Sequence, residues 1–326
     1  MRIAGKRLSV SERLRTIKQY RVEIIMLLRS SKRIAVMSLG LVAMAAAAGF
    51  GQETTFRWKF EPGLKLKSEV TQEVEQGLPN SPMPVTQSFE LTQIWEVISV
   101  APDSTARMRT TLTRALMKMN IPGAGAIDLD TDKPADQDSG LAAQIGKMFR
   151  PMVNQACEND MAPNGKVSNV MIPEEAMAGF KNLPLGESMS SVLTDSIEKG
   201  SPVFPDQAIA PGHSWTQQHS TKNLSAVNQY TYTGPKKVDG RTLHHFDLSI
   251  QVEFTGDNPL QAQIEIPEQS AKGTLLFDND QGYVVASDLD QTMKMVIKIA
   301  GQNGIESTTV QKMKTVFTPI SSSQDK

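Results

Sequence analysis

Cysteine is almost missing: the 326 residues hold one, Cys157, so no disulfide can form within the chain. Histidine is nearly as scarce, with four. His244 and His245 are neighbours, and on an extended chain their rings leave by opposite faces. His213 and His219 lie six apart and lack a third ligand nearby, so the spacing excludes a zinc site. A cysteine nucleophile needs a base and a group to orient that base. With so few histidines, Cys157 reads as a residue that packs.

Other chemical signatures are missing too. GAGAID, residues 123–128, has neither the lysine nor the following helix of a phosphate loop. Ser196 and Lys199 fit a serine–lysine motif, but its companions S-D-N and K-T-G are absent. Gly212-His-Ser-Trp215 lacks the second glycine of a nucleophile elbow. DLDTD, Asp128 to Asp132, alternates carboxylates as a calcium loop does, yet Lys133 and Ser139 stand at its sixth and twelfth places. DNDQG, Asp278 to Gly282, holds the residue types of a hairpin turn. The expectation is a protein that is not an enzyme, with no catalytic residue, no metal and no cofactor.

Aromatic residues make up only 6% of the chain, and the longest uncharged apolar run has 17 residues (34–50). That is short of the roughly 20 needed to span a bilayer. Residues 1–33 carry ten Lys or Arg against two acids, so the run follows a strongly basic flank. It ends in small residues, and polar QETT comes next. This order reads as a secretory signal peptide over 1–51, with cleavage after Ala48 or Gly51; an uncleaved inner-membrane anchor is the alternative. Met26 would open a tidier signal than Met1. Export places the chain in the periplasm or outside the cell, with no stable span once the signal is removed. The remainder has 24 basic and 33 acidic residues, which excludes a nucleic-acid partner.

What the chain has in quantity is alternation. In HFDLSIQVEF (245–254), Phe246, Leu248, Ile250, Val252 and Phe254 alternate with polar residues, which makes a strand with one apolar face. The same period runs through Phe56, Trp58, Phe60, Leu64, Leu66, Val70 and Val74, and through Phe89, Leu91, Trp95 and Val97. After the turn APDS it continues in Ala106, Met108, Leu112 and Leu116. SAVNQYTYTG, AKGTLLF, YVVASDLDQTMKMVIKI and ESTTVQKMKTVF repeat the design. Helical spacing appears at 141–152, at 189–199 and, after Pro173, in PEEAMAGF. Residues 120–140 read as an acidic, mobile loop. The 17 methionines include MKM at 117–119 and 293–295, an adaptable apolar filling.

These elements divide the chain into a first β-rich half, 52–200, and a second, 201–326, which the same pattern allows to form one continuous domain. An internal duplication is left open: hairpin turns at Asp103 and Asp239 are each followed by an Asn-Gly or Gln-Gly turn, at Asn164-Gly165 and Gln281-Gly282. Few helices stand against many one-sided strands. The expected fold is therefore mainly β, a strongly bent antiparallel sheet or half-barrel with two or three short helices.

Trp58-x-Phe-x-x-Gly63, Asn164-Gly165-Lys-Val, Gly212-x-x-Trp215 and GTLLFDNDQGYVVASDLD together resemble an uncharacterised family of exported bacterial proteins, a domain of unknown function, over residues 56–317. The resemblance implies no catalytic residue. In general shape the chain is also similar to the curved-sheet lipoprotein carriers of the periplasm.

The function expected is binding of an apolar ligand, a lipid or acyl chain, on the concave face of the sheet. Trp95, Met108, Leu112, Phe246, Leu248, Ile250 and Val252 would line it. The alternative is a structural or protein-interaction module of the envelope with a closed core and an envelope protein as partner. Intact-mass measurement of the protein recovered from an envelope fraction tests the export reading; the expected chain begins at Gly49 or Gln52.

Overall fold

Alternation of polar and apolar residues favours strands only if neighbouring strands agree on which face is dry. Here they agree across one twelve-stranded antiparallel sheet. The computed structural model describes residues 52–320 apart from 78–80, 82, 124, 181–185, 221–223, 255–262 and 299–303. The expected signal peptide, 1–51, lies outside the described residues.

The first half supplies β1 (Lys65–Gly77), β2 (Val85–Val100), β3 (Ala106–Ile121), β4 (Gly125–Asp130), helix α1 (Gly140–Phe149), β5 (Ala156–Met161) and β6 (Val167–Met171). Helix α2 (Gly186–Lys199) leads into the second half: β7 (Ser214–Ser220), β8 (Leu224–Val238), β9 (Arg241–Phe254), β10 (Gln263–Asp278), β11 (Tyr283–Lys298) and β12 (Ile305–Pro319). The strand order is β6-β5-β3-β2-β1-β12-β11-β10-β9-β8-β7, with β4 beside the far part of β3. The first and last strands thus pair at the centre, over Leu66↔Pro319 to Gly77↔Thr308. The sheet is bent but not closed. Helix α2 packs on the edge strand β6, and its Lys199 Nζ donates to Ser220 O of the opposite edge strand β7 at 3.3 Å.

One end of the sheet is shut by an extended segment that belongs to no strand. Phe56 is 1% exposed. Its ring centroid lies 5.0 Å from Tyr232, 5.0 Å from Phe246, 4.9 Å from His244 and 5.6 Å from Phe204. Trp58 N donates to Pro163 O and Lys59 N to Gly282 O, so adjacent residues of the plug are held by turns from the two halves. Both turns require glycine: Gly165 (φ +95°) and Gly282 (φ +75°) have left-handed backbones. A Cβ would also strike Pro202 O at the first and Lys59 at the second. The Asn-Gly and Gln-Gly turns that look alike in sequence therefore bracket the same dipeptide.

Three expectations need correcting. FRWKF alternates as a strand would, but its partners are turns and aromatic rings rather than a ladder. The acidic stretch 120–140 is not one loop: it contains β4, where Ile127 and Leu129 are 6% and 1% exposed opposite Met119 and Met117. PEEAMAGF forms successive turns closed by bonds such as Ala176 N to Pro173 O, not a third helix.

Phe56→Ala removes the ring around which Phe204, Tyr232, Phe246 and Phe277 gather. It is expected to lower stability by about 3–5 kcal/mol, read as a shift of the urea unfolding midpoint.

Candidate functional site

Residues directly opposite in an antiparallel pair share a face. The register can therefore be followed across the sheet from Met108↔Val97 through Trp95↔Leu66, Val70↔Thr315, Ser287↔Leu275 and Phe246↔Tyr232. Among the described residues, this face carries no Asp, Glu, Lys or Arg on any strand between the plug and the opposite, open end. The other face holds the charges in alternating rows, such as Glu73–Lys312–Asp290–Lys272.

Irregularities preserve this division. An extra residue, Thr113, sits where Arg114 pairs with Thr92 but Leu112 with Gln93. It returns Ala115 and Met117 to the uncharged face, opposite Leu91 and Phe89. It also sends Leu116 to the charged face beside Glu90, contrary to the expected grouping of Leu116 with Leu112.

All seven expected lining residues lie on the uncharged face, in two groups. Phe246 and Met108, 0% and 5% exposed, belong to the packed core under the plug, and Trp95 packs against that core with its ring 5.2 Å from Phe317. These three lie at the packed end of the face. Leu112, Leu248, Ile250 and Val252 are half-buried further along. Val70, Val74, Phe89, Leu91 and four methionines (119, 293, 295 and 313) join them there, while Met117 on the same face is buried; alternation alone could have found these, had the strand order been known.

The space under the plug is small. A cavity of about 10 Å³ is lined by Trp58, Leu66, Trp95, Met108, Met161 and Tyr283 among others, room for about one water. The indole N–H groups of Trp58 and Trp95 are buried without an acceptor. Two larger depressions, about 420 and 480 Å³, are lined by charged groups that include Arg241 with Asp278, and Lys272 with Asp288. What an apolar molecule could occupy is the open trough between the plug and the far end.

The motifs set aside in sequence have structural duties. Asp130 of DLDTD receives Arg114 Nη2 at 2.7 Å, which holds its carboxyl below the usual range. Asp278 of DNDQG accepts the backbone N–H groups of Asp280 and Gln281. Ser196 donates to Val192 O, while Lys199 bonds Asp195. Among the described residues, no three His, Cys, Asp or Glu side chains gather as a metal site would need. Burial pushes the Cys157 thiol up. No helix among them is long and apolar enough to cross a membrane.

The family model described as Family of unknown function (DUF6263) matches residues 103–305. That is more than half of the chain, and the chain belongs to this family. Three of the four motifs that carry the resemblance lie inside the match; Trp58 to Gly63 precedes it. No curated protein matches. Among solved structures, one described as lipid–protein interactions in lipovitellin is 8% identical with a TM-score of 0.43, and covers 78% of this chain. The chain spans 25% of the length of that lipovitellin chain. DynF of the dynemicin pathway of Micromonospora chersina is 9% identical with a TM-score of 0.24, over 87% of this chain and 92% of its own. An outer membrane channel from Pseudomonas putida F1 is 9% identical with a TM-score of 0.21, over 84% of this chain and 100% of its own. Likeness this low does not bear on what the chain does.

Burial holds His219, His244 and His245 below the ordinary histidine value of 6.5. The unfolded chain therefore binds these protons first as pH falls. The stability they contribute is present above about pH 6.5 and is lost as pH falls through their folded values. A thermal midpoint that declines from pH 7 to pH 5, and declines less in His244→Gln, is the expected result of a melting series.

Proposed function

We propose that the chain is an exported protein of the cell envelope that binds an apolar ligand, a lipid or acyl chain, along the open part of the trough. The observation that carries this reading is the complete absence of charged side chains from one face of the sheet, while the opposite face is rich in them. Folding alone does not demand so strict a division. At the open end many residues of the uncharged face, Ile250, Val252 and Met293 among them, are only half-buried, and a half-exposed position tolerates a lysine whose ammonium reaches water. A face that must stay dry against a ligand tolerates none, because a buried unpaired charge costs several kcal/mol. Methionines at five positions of the face suit a ligand of variable shape. Export rests on the basic flank and apolar run at residues 1–50.

The alternative, a protein-interaction module pairing through a free strand edge, has less support. Side chains of β7 are engaged by the segment that precedes it: Trp215 Nε1 donates to Val203 O at 2.9 Å, and Gln217 bonds Val203 N and Ser201 O.

Binding of the neutral fluorophore N-phenyl-1-naphthylamine reads the trough directly. Ile250→Lys places a charge in it and is expected to weaken binding at least about tenfold, a loss of about 1.4 kcal/mol. Gln251→Lys, one residue along on the charged face, is expected to leave binding unchanged. Equal behaviour of the two variants would remove the reading.

A further inference from the structure

The uncharged face is not uniformly apolar. Glutamines lie across the middle of the trough, and three strand pairings put them in register. Gln87 stands opposite Val74, Val74 opposite Gln311, and Gln311 opposite Gln291. One step nearer the plug, Gln72 stands between Phe89 and Met313. Gln93 is nearer still, opposite Ser68.

All five are half-buried, and none makes a side-chain hydrogen bond among the described residues. Other glutamines of the sheet do: Gln76 Nε2 donates to Ser307 Oγ at 3.2 Å, and Gln269 bonds both Val252 N and Val252 O. Gln76 and Gln269 lie on the same face, so the trough floor holds both bonded and free amides.

An amide offers two donors and a carbonyl acceptor without a charge. The described strands give the trough floor no cation, and Lys199 beside His219 is already paired with Asp195 at 2.6 Å, so an ionised carboxylate or phosphate would lose its water and find no free countercharge, at a cost of several kcal/mol. A hydroxyl or ester oxygen would instead exchange a bond to water for a bond to an amide, which is favourable by about 1 kcal/mol each. A face serving only as a wetted exterior has no reason to exclude Lys and Glu, which the opposite face uses freely.

We infer that the ligand is a neutral lipid carrying hydroxyl or ester groups, and that Gln87, Gln291 and Gln311 select it over anionic lipids of the same chain length. This rests on the apolar-ligand reading above and narrows it. The apolar floor holds the chain, and the glutamines meet its uncharged oxygens.

The test is displacement of N-phenyl-1-naphthylamine from the full chain by 1-monolauroylglycerol or by sodium laurate at pH 8, where laurate is ionised. The glyceride is expected to displace the fluorophore at a concentration at least about tenfold lower. In the double variant Gln291→Leu, Gln311→Leu, the glyceride is expected to weaken about fivefold, an effect of about 1 kcal/mol, while fluorophore binding persists and shows that the variant is folded. Laurate binding as tightly as the glyceride would overturn the inference and leave the apolar trough standing, as would a double variant that keeps its full affinity for the glyceride. Failure of the fluorophore itself to bind the unaltered chain would remove the trough reading, and this inference with it.

Discussion

Register is the constraint on which this molecule depends. Because side chains alternate with period two, a slip of one residue in any ladder would turn that strand's charged row into the trough and its apolar row into water. Rows such as Glu73–Lys312–Asp290–Lys272 oppose the slip from the outside, since each charge faces one of opposite sign across the strand gap. From the inside, the plug opposes it. Phe56 and Trp58 are fixed by ring contacts to β9 and β10 and by the bond of Trp58 N to Pro163 O of the first half, so the strand ends that meet them cannot shift without leaving a cavity.

The plug also explains why one sheet behaves differently at its two ends. Near Phe56, the strands bring Val97, Met108, Met161, Phe246 and Phe277 together into a dry core. Further along, Leu289, Ala271 and Met117 are still buried, but Leu248, Ile250, Val252 and Met293 on the same face are left half-buried. Closing the sheet into a full barrel would need β6 to pair with β7. The residues that leave β6 and enter β7 instead pass through α2 and the 201–209 segment. That segment accepts a bond from Trp215 of β7 and adds Phe204 to the core, so one stretch of chain both packs against the last strand of the sheet and completes the plug.

Much of this could be read from the sequence, and the failures have physical causes. Alternation located β2, β3 and β8 to β12, since long one-sided strands leave an unambiguous period. In FRWKF the same period reports burial of every second side chain but is silent about the partner, and here the partner is a set of turns. Residues 120–140 looked like a loop because only Ile127 and Leu129 mark β4. The acids around them are matched by arginines far along the chain, Arg114 to Asp130 and Arg150 to Asp138. The single-residue bulge at Thr113 has no signature of its own, and so Leu116 was placed on the wrong face. Of the seven expected lining residues, four lie in the open trough and three at its packed end. Periodicity assigns a face but not a distance from the plug.

Position along the strand, not hydrophobicity, thus separates core from candidate site. Phe246 and Ile250 sit on one strand and one face, four residues apart, about 13 Å at the usual rise. Phe246 touches Phe56, Phe204, Tyr232 and Trp215, whereas Ile250 is half-buried opposite Asn228. Burial of the first stabilises the fold whether or not a ligand is present. The second can gain a comparable burial only when something else covers it, so its contribution is available to binding. A sheet longer than its plug therefore carries two kinds of apolar surface on one continuous face, one spent on folding and one kept in reserve. The absence of charge from the reserved part is what keeps it usable for that purpose.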